Sequence, residues 1–345
     1  MSHPRRTFLA QLASAGAVAL GPAVGCTRSR QNKDRDKGKD KPQPARRKAV
    51  SPRVVLVRCA GAVDGGFKVE RSALRRMLQL GLKRLAGVKD ARAALSKWIR
   101  PTDTVGLKVN CLAGRQMSTH PELVEELVAL LEGIGLPRRQ NIVFDRADID
   151  LRRGGFPIRV AGSDYRSMGN DRAGYERDLR VMESGASRFS LVATRKASAL
   201  INLPILKDHG LAGLSGALKN NFGLIHNPNK FHLNGCDPHV AEVNAWDFVR
   251  RKQRLVICDA LRVQTEGGPA FHAAGAVTYG GLLLANDPVA LDLVAWELLD
   301  TLRAGRKLPS LARDKRKPVH VLTAAKQGLG VARRSQVELI ELKVT

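Results

Sequence analysis

The strongest constraint on the fold is an alternation of two hydrophobic periods along one chain. Short apolar, β-branched runs recur at 53–60, 104–110, 141–145, 190–194, 199–203, 254–259, 278–285, 318–322 and 337–344, and each reads as a strand. Several are apolar on both faces, as strands covered on two sides should be. Between them lie stretches with helical spacing. At 70–86, Ala73, Leu74, Met77, Leu78, Leu82 and Leu85 share one side, with basic residues opposite. At 122–134, Pro121 suits the first helical position and Gly135 the stop. At 289–302, Pro288 follows Asp287, a good N-cap. Further helices are expected over 173–182 and 240–252. Strand–helix alternation of this kind predicts an α/β fold, a layered mixed sheet covered by helices. The irregular Gly- and Arg-rich stretch 146–172 reads either as a long loop or as a neck between two lobes. Aromatic residues make up only 4% of the chain, so the core must be built mainly from Leu, Val, Ile and Ala.

The first residues carry a different message. Arg5-Arg6 precede Thr7-Phe8-Leu9 and a short Ala/Gly-rich apolar stretch ending Ala23-Val24-Gly25-Cys26. That pattern resembles a twin-arginine export signal, too short and too weakly hydrophobic for a good membrane span. It implies handling by the twin-arginine translocase, which carries folded proteins, and a periplasmic location. Small residues before Cys26 suit cleavage there, and they also resemble a lipobox, in which Cys26 is lipidated; Ala23 departs from the usual Leu. From Arg28 to Arg53 there are eleven Lys/Arg against three Asp and almost nothing apolar, which reads as a disordered basic linker. The expected organisation is therefore a signal at 1–25, a linker at 26–52 and an α/β domain at 53–345. Lipid and linker together would hold the protein to an anionic membrane surface.

The whole chain has a net charge of +26, which predicts attraction to anions. No zinc-finger spacing, aromatic-rich single-strand motif or recognition helix accompanies it, so no specific nucleic-acid partner is expected. The five cysteines, Cys26, Cys59, Cys111, Cys236 and Cys258, include no C-x-x-C pair, which argues against an iron–sulfur cluster within this chain. One or two disulfides are compatible with export, and the pairing is open.

Open α/β sheets bind ligands beyond the carboxyl ends of their strands, so polar residues there are the candidates for chemistry. Lys108 and Asn110 end one expected strand and lead to Thr119-His120 at a helix start; Asp145 and Asn202 end others. The segment 202–225 is the densest, with Lys207, Asp208, His209, Ser215, Lys219, Asn220 and glycines at 210, 213 and 216. It reads either as a backbone anion cradle flanked by lysines or as a Gly-lined helix packed on the sheet. It matches neither a phosphate-binding P-loop nor a nucleophile elbow. His226, His232, Cys236 and His239 fall in a Pro/Asn-rich stretch at no standard zinc spacing. Asp259 and Glu266 form a further group near a strand end.

Read together, K-V-N (108–110), T-H-P-E-L-V (119–124), I-N-L-P-I-L-K-D-H-G (201–210), G-A-L-K-N-N-F-G (216–223), C-D-A-L (258–261), E-G-G-P (266–269) and N-D-P-V-A-L-D (286–292) resemble the domain of unknown function 362 family. The resemblance spans about Val54 to Leu302. It implies a site at matching polar positions but no agreed reaction, and the ferredoxin-like module of many members has no counterpart here. The leading expectation is an enzyme acting on a small anionic ligand or an envelope component. Lys108, Lys207 and Lys219 would hold charge; Asn110, Thr119, Asn202, Asn220 and Glu266 would orient substrate; His120, His209 and Asp259 would handle protons. Against it stand a metal- or iron–sulfur-associated redox protein, with a divalent ion on His120, His209 and His232 in the metal form, and a non-catalytic binding lipoprotein with a cationic surface.

Overall fold

The computed structural model describes residues 51–64 and 68–345. The signal and nearly all of the linker, with Cys26, lie outside the described residues. Strands are β1 Arg53–Arg58, β2 Val105–Lys108, β3 Asn141–Asp145, β4 Arg166–Gly169, β5 Arg180–Met182, β6 Gly185–Ser187, β7 Ala199–Asn202, β8 Ile205–His209, β9 Gly213–Ser215, β10 Gln253–Gln264, β11 Ala276–Ala285 and β12 Glu338–Lys343. Helices are α1 Arg71–Ala86, α2 Ala91–Leu95, α3 Pro121–Glu132, α4 Asp148–Gly154, α5 Asn170–Ala173, α6 Ala217–Asn220, α7 His239–Ala245, α8 Asp247–Lys252, α9 Pro288–Gly305 and α10 Val319–Lys326.

Ten strands form one mixed sheet in the order β12-β1-β11-β10-β7-β2-β3-β4, with β8 beside β10 and β9 beside β8. The β10-β7-β2-β3-β4 half is parallel. β11 is antiparallel to both of its neighbours. Strand alternation sends side chains to opposite faces: Val54 and Leu56 enter one apolar layer, Val55 and Val57 the other. Helices α1, α2 and α3 cover one face, and α7 to α10 cover the other. The caps behave as their residue types require. Glu70 accepts from the Ser72 and Ala73 amides, and Asp287 accepts from Val289 and Ala290 at 2.8 and 2.9 Å.

Four expectations need correction. The run 190–194 is a π-helical turn, Val192–Lys196, because Ser190 captures the Val192 and Thr194 amides locally. The run 318–322 lies at the start of α10, where His320, Val321 and Ala324 make one buried helical face; a run of five residues carries too little period to tell strand from helix. The stretch 173–182 is not helical. Gly174 ends α5, the Glu176 amide donates to Phe189 O, and β5 and β6 form a hairpin. The stretch 146–172 is not a neck. It folds into α4 and β4, and the described residues fall within one unit.

Candidate functional site

Sheet topology sets the location. β2 leads through β3 to β4 on one side, whereas β7 returns to the other side of β2. Where strand order reverses in this way, the strand ends open a crevice. In register, Lys108 stands opposite Asn202 on one neighbour and Phe144 on the other, so Lys108, Asp145 and Asn202 meet at one edge. Asn202 is followed by Leu203 and Pro204, and β8 then replaces β7 as the neighbour of β10, with Ile205 opposite Asp259. That jog carries Lys207 and His209 over the crevice. α6 and the turn after it, Asn221–Leu224, supply Lys219, Asn220 and Phe222.

The resulting pocket encloses about 170 Å³. It is smaller than a drug-sized ligand site and suits a small molecule or a head group. Lys108, Asn110, Asp145, Arg146, Asp150, Lys207, His209, Ser215, Lys219, Asn220, Phe222 and His232 all line it. Four cations therefore face two carboxylates, and both carboxylates are already engaged. Lys108 Nζ donates to Asp145 Oδ1 at 2.7 Å, and Asp150 accepts from Arg146 at 2.9 Å. Gly223 is required beside this pair, because a Cβ there would lie 2.7 Å from Lys108 Nζ.

Lys207 and Lys219 have no such partner; among the described residues neither forms a salt bridge. Lys207, 1% exposed, donates only to Asn110 Oδ1 at 3.1 Å and Met117 O at 3.5 Å. Lys219 Nζ lies 3.3 Å from His232 Nε2 and 4.1 Å from the centre of the Phe222 ring. Burial disfavours both ammonium groups and lowers each pKa to about 8, with the Asp145 carboxylate opposing the shift at Lys207.

The two pocket histidines are fixed in different tautomers. His209 Nδ1 accepts from the Leu211 and Ala212 amides at 3.2 and 3.1 Å, so its proton sits on Nε2. Burial first, then Lys219, lowers its pKa to about 2. His209 therefore remains neutral near pH 7 and is suited to donating a hydrogen bond rather than exchanging protons. His232 Nδ1 lies 3.1 and 3.3 Å from the Pro228 and Asn229 carbonyls, which places its proton there and leaves Nε2 an acceptor. The two rings stack with centres 5.7 Å apart.

A ladder of carboxamides backs the pocket. Asn220 Oδ1 accepts from Lys108 and Asn110, both at 3.2 Å, while its Nδ2 donates to Asn202 Oδ1 at 2.7 Å. Asn202 continues to Gln253 and Ala217 O. Asn221 and Asn244 extend the chain. Every amide that orients the pocket is thus itself oriented.

The glycine-rich segment is neither an anion cradle nor a helix. Lys207 to Ser215 is a β8–β9 hairpin, and Gly216 leads into α6. The first amides of α6 are occupied from within. Ala217 N and Leu218 N donate to the two oxygens of Asp292 at 2.6 and 2.9 Å, and a Cβ on Gly216 would meet Asp292 Oδ1 at 2.2 Å. Burial raises the Asp292 pKa to about 7, against those two hydrogen bonds.

Lys108, Asn110, Lys207, His209, Lys219, Asn220 and His232 thus share one pocket. The other sequence candidates lie elsewhere. His120 Nδ1 is 2.7 Å from Asp259 Oδ2, and the same carboxylate accepts from the His120 amide. Neither residue lines the pocket. Burial opposes charge on His120, but Asp259 outweighs it and the pKa is raised. Thr119 bridges the Asn110 amide and Leu203 O, fastening two strand ends. Asn202 sits beneath the pocket, and Glu266 pairs with Arg306 at 3.1 Å. The expected metal set of His120, His209 and His232 is not assembled, and among the described residues no three His, Cys, Asp or Glu side chains are grouped for a metal. Cys59, Cys111, Cys236 and Cys258 are free and buried, so no disulfide joins them. Asp145, Ser215, Arg146, Asp150 and Phe222 also line it. The first two were visible as polar residues beside strand or segment ends, and Phe222 as part of G-A-L-K-N-N-F-G (216–223); nothing in the sequence marked Arg146 or Asp150.

The fold and pocket define an α/β protein with a buried, cation-lined crevice at a sheet switch point. Residues 105–297, more than half of the chain, match the family described as Domain of unknown function (DUF362), and the chain belongs to that family. No curated protein matches it. A structural-genomics protein from Thermotoga maritima is similar at a TM-score of 0.42 and 11% identity, over 67% of this chain and 59% of that one.

Proposed function

We propose that this protein is an enzyme that binds the anionic group of a small molecule or envelope component in the crevice, between Lys207 and Lys219. One observation carries the reading: two buried ammonium groups line one small pocket with no carboxylate to neutralise them. A buried cation without a partner is costly, and a bound anion removes that cost. Asn110, Asn220 and Ser215, whose hydroxyl makes no hydrogen bond among the described residues, supply neutral polar groups for orientation. The test is calorimetric titration of the purified protein with oxalate and with inorganic phosphate. At least one should bind, and Lys207→Met should weaken it about 30-fold, the value of a charge-assisted hydrogen bond of roughly 2 kcal/mol. Absence of binding, or equal affinity in the variant, overturns the reading.

The same proposal places the protein outside the cytoplasm. Arg5-Arg6 support export by the twin-arginine translocase, and Cys26 with the basic linker supports a lipid-anchored form on an anionic membrane surface. Replacing Arg5 and Arg6 by lysine should retain the precursor in the cytoplasm. An alkyne fatty acid should label the mature protein but not Cys26→Ala; equal labelling of the two removes the lipid anchor.

A further inference from the structure

We propose that Lys219 is the nucleophile of this pocket and forms an imine with the carbonyl group of a small oxo acid whose carboxylate Lys207 holds. The inference rests on the anion-pocket reading and adds a covalent step to it.

The three pocket lysines differ in their surroundings. Lys108 is fixed by Asp145, by Val109 O at 2.7 Å and by Asn220, which together use its three N–H groups. Lys207 faces only an amide oxygen and a peptide oxygen, neither of which is a useful base. Lys219 alone adjoins a basic lone pair, His232 Nε2 at 3.3 Å. His232 is in turn oriented by the Pro228 and Asn229 carbonyls. An amine, a base in hydrogen-bond reach and a group that orients the base are what an activated nucleophile needs. Burial favours the neutral amine, while the face of the Phe222 ring 4.1 Å away favours the ammonium. Among the charged and titratable groups facing it, Lys108 acts in the same direction as burial and the Cys236 thiol opposes.

The ligand class follows from charge and size. Once Lys219 carries the ligand as an iminium, Lys207 remains to pair with a carboxylate. About 170 Å³ suits an acid of few carbons. In the reaction, the Lys219 ammonium gives a proton to His232 Nε2, and the neutral amine attacks the carbonyl carbon. The C–N bond forms as the carbonyl π pair moves to oxygen, which takes a proton from nitrogen. His232 then protonates the hydroxyl, the C–O bond breaks and water leaves. Ammonium plus carbonyl gives protonated imine plus water, with no change of oxidation state.

The experiment is reductive trapping. The full-length protein is incubated with glyoxylate and sodium cyanoborohydride, and the adduct is located by peptide mass spectrometry, with oxalate binding measured in parallel. A single dominant adduct on Lys219 is expected, its formation suppressed when oxalate is present, and it should be absent from Lys219→Arg. His232→Gln should slow its formation about tenfold or more at saturating glyoxylate. Oxalate binding without a Lys219 adduct overturns the imine and leaves the anion pocket standing. Adducts spread evenly over surface lysines also overturn it. Failure of oxalate, inorganic phosphate and glyoxylate alike to bind overturns the imine together with the pocket reading.

Discussion

Replacing Lys207 by methionine should make the protein more stable. In the folded state the Lys207 pKa is about 8, against 10.5 for the ordinary side chain. Burial is the main cause, and the group is 1% exposed, so solvent screening takes little from it. At one pKa unit per 1.36 kcal/mol, keeping the ammonium charged at pH 7 costs about 3 kcal/mol relative to the unfolded chain. Methionine is similar in length and lacks the charge, but it withdraws a donor from Asn110 Oδ1 and Met117 O. That loss returns about 1 kcal/mol. The net expectation is a gain of roughly 2 kcal/mol at pH 7, about 4 °C in Tm for a domain of this size. The sign with pH also follows. A base whose pKa is lowered on folding contributes full stability above the unfolded value of 10.5 and loses it as pH falls through about 8. The advantage of the methionine variant should therefore be largest below pH 8, disappear before pH 10.5 and reverse there, where the lost hydrogen bonds outweigh what remains of the burial cost. Urea melts of wild type and variant from pH 6 to 10.5 measure both quantities. A variant less stable than wild type at pH 7, or a difference that does not change with pH, would refute the reasoning. It would mean that Lys207 is stabilised where it sits and that the pocket has no unmet demand for an anion.

Asp145→Asn should destabilise by about 3 kcal/mol, because it leaves Lys108 buried without its carboxylate; thermal unfolding reads this directly. Gly216→Ala drives a methyl group onto the Asp292 carboxylate, so it should displace α6 and weaken both stability and oxalate binding, by calorimetry of the same preparation. His120 should titrate above 6.5 in histidine NMR spectra; its pairing with Asp259 contributes stability that is complete below 6.5 and lost as pH rises through the raised folded value. Asp259→Asn should remove that pH dependence. Cys59, Cys111, Cys236 and Cys258 should be inert to a thiol reagent in the native protein and react together on unfolding.

What the sequence disclosed was set by the range of the interactions involved. Seven of the expected strands appear because their β-branched runs report local preference and burial, and α1, α3 and α9 appear because cap residues and a 3.6 period agree. The runs at 190–194 and 318–322 misled because short apolar stretches look alike in a strand and in a helical turn. The pocket was legible in part, since polar residues at the ends of parallel strands fall on one edge whatever the order of those strands. That rule brought Lys108, Asn110, Lys207 and Lys219 into one group. It gave His120 to the same edge, but the Asp259 carboxylate captures that ring, and no local pattern foretells a partner 139 positions away. The glycines of 210–216 suggested a waiting cradle; the carboxylate that fills it, Asp292, arrives from a helix 75 residues on.

β8 meets the main ladder at only two rungs, Ile205 with Asp259 and Lys207 with Gln264. Between its two pocket-facing residues, Asp208 turns to the rear and grips Arg316 at 2.5 Å, with Arg303 at 3.8 Å. The crevice wall is thus hung from a latch behind it, whose other half is a pair of arginines far along the chain. Evolution can retune the front of the site by editing a residue that no ligand will ever touch.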